Sequence, residues 1–261
     1  MLSSHILNLH YIWLVVASAL AGVINAMAGG GSFLSFPAML GMGVLPVQAN
    51  ATNTVAVWPG QLTSLATLRG DVRRDVLLSV SISCVVGGVA GAEVLLHTQQ
   101  TTFLKLIPWL ILIGTVLFGI SGPVSRWLRS RAEHPHKKRP IPQVALAVSL
   151  LPVTFYIGYF GAGGGFLAMT ILALYGMDDM HELNAMKVVA ALLSNLVAIV
   201  MFIVMRQVVW HFCLISMVFA GMGGYVGARL AKKTNPDVLR AIIVITGCVI
   251  AAYFFWKQAQ G

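Results

Sequence analysis

The sequence predicts an all-α polytopic membrane protein built from two homologous halves. Three observations carry this reading: the composition, a series of apolar runs bounded by Gly, Pro or charge, and an internal repeat. Of 261 residues, 58% are hydrophobic and only 10% charged, and the mean hydropathy is +0.85. A soluble domain carries roughly 25% charged residues. So few charges cannot cover a water-facing surface of this size, which excludes a soluble enzyme. No Asp, Glu, Lys or Arg occurs before Arg69. The net charge of +9 is read as loop charge that orients the spans, since neither a nucleic-acid patch nor an acidic tail is visible. Cys84, Cys213 and Cys248 each lie in an apolar run, with no CxxC and no His/Cys cluster. Disulfides, a metal site and a cofactor are therefore not expected.

Taken in order, the N-terminus MLSSHILNLHYIW lacks the basic region and cleavage site of a signal peptide and reads as the start of the first helix. Long helices follow over about 10–28, 48–68, 75–97, 102–122, 142–160, 183–205, 208–231 and 237–257, eight in all. Each suffices to cross a core of about 30 Å at 1.5 Å per residue. Two further apolar stretches, 32–45 and 166–177, are short, and each directly follows a glycine triplet. At roughly 20 Å as helices, they read as broken or half-helices, or as re-entrant segments. The segment from Arg126 to Pro142 holds six basic residues and three prolines. The expected organisation is a first membrane repeat over 1–122, a basic cytoplasmic linker over 123–141 and a second membrane repeat over 142–261.

The repeat is legible residue by residue. With AGGG at 28–31 placed over AGGG at 162–165, an offset of 134, Leu40 meets Leu174, Asn50 meets Asn184, Val55 and Ala56 meet Val189 and Ala190, and Gln61 meets Asn195. Further on, GGVAGAEV (87–94) matches GGYVGARL (223–230) at an offset of 136, so two residues are inserted between. Duplicated halves are typical of secondary transporters. Lys/Arg placement favours inverted halves with both termini outside. If the short segments cross, fourteen Lys/Arg fall inside and three outside; if they are re-entrant, the halves run parallel and the split is eleven against six.

Two regions carry chemistry. The first is AMAGGGSFLSFP (26–37) with its partner AGGGFLAM (162–169). Three glycines continue a helix poorly, at about 1 kcal/mol each relative to Ala. They leave free N–H groups at the start of the next half-helix, where partial positive charge binds anions. Gly29, Gly30, Gly31 and Ser32, with Asn25 just before them, and Gly163, Gly164 and Gly165 are therefore candidate site residues; the structural alternative is close helix packing through small residues. The second region is QANATNTVAVWPGQL (48–62) with ELNAMKVVAALLSNL (182–196). Asn50, Asn53, Thr54 and Gln61, and Asn184, Lys187, Ser194 and Asn195, interrupt otherwise apolar helices. An unpaired amide is costly in hydrocarbon, so these groups face the protein interior, either as site residues or as interhelical hydrogen bonds. Lys187 is the sharpest case: it either snorkels to the interface or serves as a fixed cation for an anionic substrate, opposite Asn53 in the repeat.

Glu93 and Arg229 are equivalent in the GGxxGA motif and read as interfacial. No Asp or Glu falls in mid-membrane, so a carboxylate relay is not visible and the coupling ion, H+ or Na+, is left open. No Ser/His/Asp set, HExxH or aspartate pair is present, which argues against an intramembrane enzyme.

AGVINAMAGGGSFLSFPAMLGMGVLPVQANATNTVAVWPGQL, the LRGDVRRD loop and the second GAGGGFL copy together resemble the TauE/SafE family of sulfite and organosulfonate exporters, over about residues 10–257. The resemblance implies a prokaryotic inner-membrane permease for small sulfur-containing anions, with seven or eight counted helices. The second copy departs from the first at Lys187 and lacks the Thr52–Thr54 face. The expected function is a permease for such anions, acting by alternating access around a midplane site between the repeats. The partners are a small anion and the lipid bilayer, with no nucleic acid; an anion channel and a non-transporting scaffold or assembly factor remain as alternatives.

Overall fold

The structure, a computed structural model, describes residues 2–28, 31–132, 141–230 and 236–260. Among the described residues the regular elements are ten α-helices and one 3-10 turn, Arg69–Asp71, with no strand. The helices are α1 (Leu2–Ala28), α2 (Ser32–Gly41), α3 (Pro46–Leu68), α4 (Arg74–His97), α5 (Gln100–Ala132), α6 (Gln143–Tyr159), α7 (Gly164–Leu174), α8 (Met180–Val204), α9 (Trp210–Leu230) and α10 (Pro236–Ala259). In both halves a long helix is followed by a short one, then by three long ones. α8 begins 134 residues after α3, and α9 and α10 each begin 136 residues after α4 and α5.

Five stretches are long and apolar enough to cross a membrane: Arg74–His97, Gln100–Val124, Met180–Val204, Trp210–Gly227 and Ala241–Ala259. Tyr11–Asn25, Ser32–Gly41, Gln143–Tyr159 and Gly164–Leu174 are apolar but shorter. α2 and α7, at 10 and 11 residues, reach only about half of a 30 Å core. Two boundaries differ from expectation. α1 starts at Leu2, eight residues before the expected start at 10. α5 runs to Ala132, ten residues beyond the expected end at 122. Residues 124–132 contain neither glycine nor proline, so nothing local ends the helix there. Residues 133–140 of the basic segment, and Lys232 and Lys233, lie outside the described residues.

The chain packs as two compact units, each drawing on both repeats: Met1–Gly60 with Thr98–Thr115 and Phe202–Gly261, and Gln61–His97 with Val116–Met201. In the first unit α1 packs along α9. A Cβ on Gly22 or Gly223 would collide with the carbonyl oxygen of Ala220 or Ala19, and one on Gly227 would lie 2.6 Å from Val23 O. Ser18 also donates to Ser216, 3.0 Å away. In the second unit α4 packs along α6 in the same manner. A Cβ on Gly158 would lie 2.5 Å from Gly88 O, and one on Gly91 2.8 Å from Tyr159 N. Thr154 Oγ1 donates to Ser83 O and Ser83 Oγ to Ala147 O, each at 2.8 Å. Gly22 and Gly158, Gly87 and Gly223, and Gly91 and Gly227 are each 136 residues apart. The α1–α9 and α4–α6 pairs therefore pack through glycines in the same manner, with Gly22 and Gly158 two residues off the 134 register of the neighbouring AGGG match. In lipid, where no hydrophobic force drives helices together, such close backbone approach supplies the packing energy.

The second unit has a continuous apolar core of Val76, Val80 and Cys84 from α4, Leu146, Leu150 and Ile157 from α6, Ala168, Met169 and Leu172 from α7, and Leu183, Met186 and Ala190 from α8. Outward faces are equally apolar: Leu78, Ile82 and Val86 on α4, Leu214, Val218 and Met222 on α9, and Ile245 and Val249 on α10 are exposed. A water-facing surface does not carry patches of this extent, whereas lipid accepts them.

Candidate functional site

Each unit contains one of the glycine breaks, and each break collects polar groups from a neighbouring long helix. In the first unit Gly31 caps α2, and its carbonyl accepts from Leu34 N (3.0 Å) and Ser35 N (3.3 Å). A Cβ on Gly31 would collide with Ala21 O, so α1 and the start of α2 touch backbone to backbone. One turn into α2, Ser35 Oγ donates to Asn53 Oδ1 of α3. Ser35 and Asn53 are both buried. Asn53 spends its acceptor on this bond; its Nδ2 makes no hydrogen bond among the described residues. Asn50 is buried beside it, and Thr54 Oγ1 donates back to Asn50 O at 2.9 Å, a bond within one helix. Ser32 is the first residue of α2 and is half-buried. Asn25 is half-buried near the end of α1, its Nδ2 lying 3.2 Å from the position a Cβ would take on Gly60. Gly29 and Gly30 lie outside the described residues.

In the second unit the break is sharper. α6 ends at Tyr159, and Gly161 and Gly163 both take left-handed backbone angles, φ +84° and +81°, open without strain only to glycine. Tyr156 OH donates to Ala162 O at 2.7 Å and holds the turn shut. α7 then starts at Gly164; Phe166 N donates to Gly163 O at 3.1 Å, and the N–H groups of Gly164 and Gly165 have no helical carbonyl to bond. Lys187 of α8 lies alongside: a Cβ on Gly165 would be 3.1 Å from Lys187 Cγ. The ammonium sits over the Phe166 ring, 4.8 Å from its centroid, and Phe166 packs edge-on against Phe118 at 5.1 Å. Lys187 has no ion pair or hydrogen bond among the described residues. Asn184, three residues earlier on α8, is half-buried.

Two turns further along α8 lie Ser194 and Asn195, both buried. Asn195 Nδ2 donates to Gln61 Oε1 at 3.2 Å. These two residues are repeat equivalents, 134 apart, so the repeats meet here through the same position. Among the described residues, Asn195 Oδ1 and Ser194 Oγ are both buried without a hydrogen-bond partner.

The structure thus links Gly31 to Asn53 through Ser35, sets Lys187 against Gly165 at the Gly163–Gly165 turn, and joins Gln61 to Asn195. Sequence reasoning missed Ser35, Gly161 and Phe166. Ser35 had a signal: it stands one turn inside a short helix that opens on glycine. Thr52, part of the threonine-rich face, accepts from Val209 N at 3.0 Å and serves the fold of the first unit. Glu93 and Arg229 are exposed, the first beside His97 at 3.4 Å and the second over Tyr225 at 4.4 Å. Outside the spans, Arg73 pairs with Asp75 at 2.8 Å and Glu182 at 3.5 Å, and its pKa is raised chiefly by the hydrogen bond to Asp75.

Apolar spans, short helices opening on glycine breaks, and polar groups gathered at those breaks define a multi-pass helical membrane protein of the transporter class. The family model for the sulfite exporter TauE/SafE matches residues 14–254, and the chain belongs to this family. It is 28% identical over 250 residues to the probable membrane transporter protein YfcA of Escherichia coli strain K12, covering 94% of this chain and 89% of the relative. It is 26% identical over 246 residues to the probable membrane transporter protein ORF9 of a Sinorhizobium species (92% and 90%). With the probable membrane transporter protein YunE of Bacillus subtilis strain 168 it shares 23% over 265 residues (91% and 96%). No solved structure matches the chain.

Proposed function

We propose that the chain is a secondary transporter, a permease, for small sulfur-containing anions such as sulfite or organosulfonates. The observation that carries this is Lys187. It is an ammonium in an apolar span, with no acidic partner among the described residues, held beside the first free N–H groups of α7. A lone cation in such a place is expensive and marks a site for negative charge. Its repeat equivalent in the first unit, Asn53, likewise makes no hydrogen bond through Nδ2 among the described residues. Neutral donors and one lysine bind oxyanions less rigidly than an arginine fork would, which suits a carrier that must release its cargo.

Transport proceeds by alternating access, the two repeats moving to open a mid-membrane site to one side and then the other. Equivalent residues touching at Gln61–Asn195 support a two-fold relation between the repeats, since self-matching contacts arise at such an axis. The repeats are inverted across the inner membrane, with both termini outside, as the Lys/Arg distribution favours.

The test is binding to purified protein, read as thermal stabilisation by sulfite, thiosulfate, sulfate, taurine, sulfoacetate and chloride. A ligand that binds only the folded state raises its melting temperature with occupancy. Selective stabilisation by one sulfur oxyanion, lost in Lys187→Met, supports the reading; no response to any of them at millimolar concentration overturns it. Counterflow in proteoliposomes separates a carrier from a channel, because only a carrier exchanges labelled for unlabelled anion through a saturable site.

A further inference from the structure

The anion reading leaves two buried polar atoms of the second unit unused, and both are oxygens. Among the described residues Asn195 Oδ1 has no hydrogen-bond partner in a residue that is 5% exposed, and Ser194 Oγ has none in a residue that is fully buried. Buried polar atoms of this kind are rare and demand a partner. A third oxygen lies close by. The position a Cβ would take on Gly161 is 3.4 Å from Ile157 O and 3.6 Å from Asn195 Oδ1. Both oxygens therefore border one space, about the size of a methyl group, that glycine keeps open. Ile157 O belongs to the last turn of α6. Gly161 N, which would bond to it in a continuing helix, donates instead to Tyr156 O at 3.2 Å. Ile157 O is thus one of the orphaned carbonyls at a helix C-terminus, where the macrodipole is negative.

We infer that Asn195 Oδ1 and Ile157 O, with Ser194 Oγ of the adjoining residue, hold a sodium ion that couples to anion transport. Every group in the set is a neutral oxygen, which suits a singly charged cation. None of them titrates near neutral pH, so the ion is not a proton. No group of three or more His, Cys, Asp or Glu able to hold a metal exists among the described residues, and a divalent ion would need such charge to lose its water. The placement also has a physical logic. The α6 C-terminus and the α7 N-terminus face the same break with opposite partial charge, so one end attracts a cation and the other an anion. A cation at the first lowers the energy of an anion at the second, and by reciprocity the anion favours the cation. The coupling role rests on the transporter reading above, whereas the binding of sodium does not.

The test uses the purified full chain in detergent, in N-methyl-D-glucamine chloride at constant ionic strength. Sodium chloride or potassium chloride replaces it stepwise, and both melting temperature and equilibrium binding of radioactive sodium are read. Sodium is expected to raise the melting temperature by a few degrees, with a half-effect in the millimolar range, and potassium to do much less. Asn195→Ala and Ser194→Ala are each expected to weaken sodium binding at least tenfold, whereas Gly221→Ala, with nothing within 4 Å of the added methyl group, leaves it unchanged. Ser194→Ala removes an unpaired buried hydroxyl, so it keeps the protein folded even if Asn195→Ala does not. A melting temperature indifferent to sodium, an equal response to sodium and potassium, or full sodium binding in Ser194→Ala overturns the inference. The opposite orientation of the same amide pair, with Asn195 Nδ2 donating to Ile157 O, predicts that indifference. The anion panel run in sodium-free buffer keeps the two readings apart: anion binding without any sodium effect removes only the sodium site, and sodium binding without any anion response removes only the anion site.

Discussion

Replacing Lys187 by methionine should stabilise the empty protein and cripple anion binding at the same time. The ammonium has one favourable contact, with the Phe166 ring at 4.8 Å. A desolvated cation–π contact is worth about 2 kcal/mol. Against it stands a desolvation penalty of several kcal/mol for a charge taken out of water without an ion partner. Methionine keeps the stem that lies along Gly165 and fills nearly the same volume, so no cavity term arises. The net gain is on the order of 1 kcal/mol, or a melting temperature a few degrees higher. Binding moves the other way. A hydrogen bond to a charged group contributes about 1.5–3 kcal/mol, so anion affinity should fall by roughly 10–150-fold. Lys187→Arg retains the charge and should retain affinity, with slower release through its bidentate fork. The assay is thermal unfolding with and without the stabilising anion. A Lys187→Met protein that melts lower than wild type, or one that responds to anion undiminished, refutes the reasoning, because either result makes the lysine structural.

The close helix pairs can be probed with one contrast: Gly223→Ala pushes a methyl group into Ala19 O and should cost about 1–3 kcal/mol, whereas Gly221→Ala, with nothing within 4 Å, should be neutral or slightly stabilising in unfolding assays. Ser35→Ala strands the buried Asn53 Oδ1 and should lower stability by about 1–3 kcal/mol, more than Thr54→Ala, whose hydroxyl bonds only within its own helix. In a background lacking Cys84, Cys213 and Cys248, single cysteines at 105 and 206 should react with an impermeant maleimide from outside intact cells and one at 126 should not; the reverse pattern would rule out the proposed orientation.

Much of the fold was legible in the residues because it depends on local facts. Ten segments, two of them short and preceded by glycine, follow from apolar run length and from the poor helix propensity of a glycine triplet. The end of α5 was not legible, because Gly122 and Pro123 look like a stop yet the helix runs on to Ala132. The polar residues of α3 and α8 stood out because amides are costly in hydrocarbon. Their partners did not, since Ser35 finds Asn53 across 18 residues and Gln61 finds Asn195 across 134.

Composition and residue order alone settle that this is a helical, multi-pass membrane chain, because the bilayer penalises charge and unpaired backbone wherever they occur in the sequence. Only the tertiary structure decides that each compact unit draws helices from both repeats, that Lys187 meets an aromatic ring and no carboxylate among the described residues, and that Asn195 Oδ1 is left without a partner. Those are statements about which distant groups meet, and a contact between helices is decided by how the whole bundle packs, not by the residues beside it in the chain.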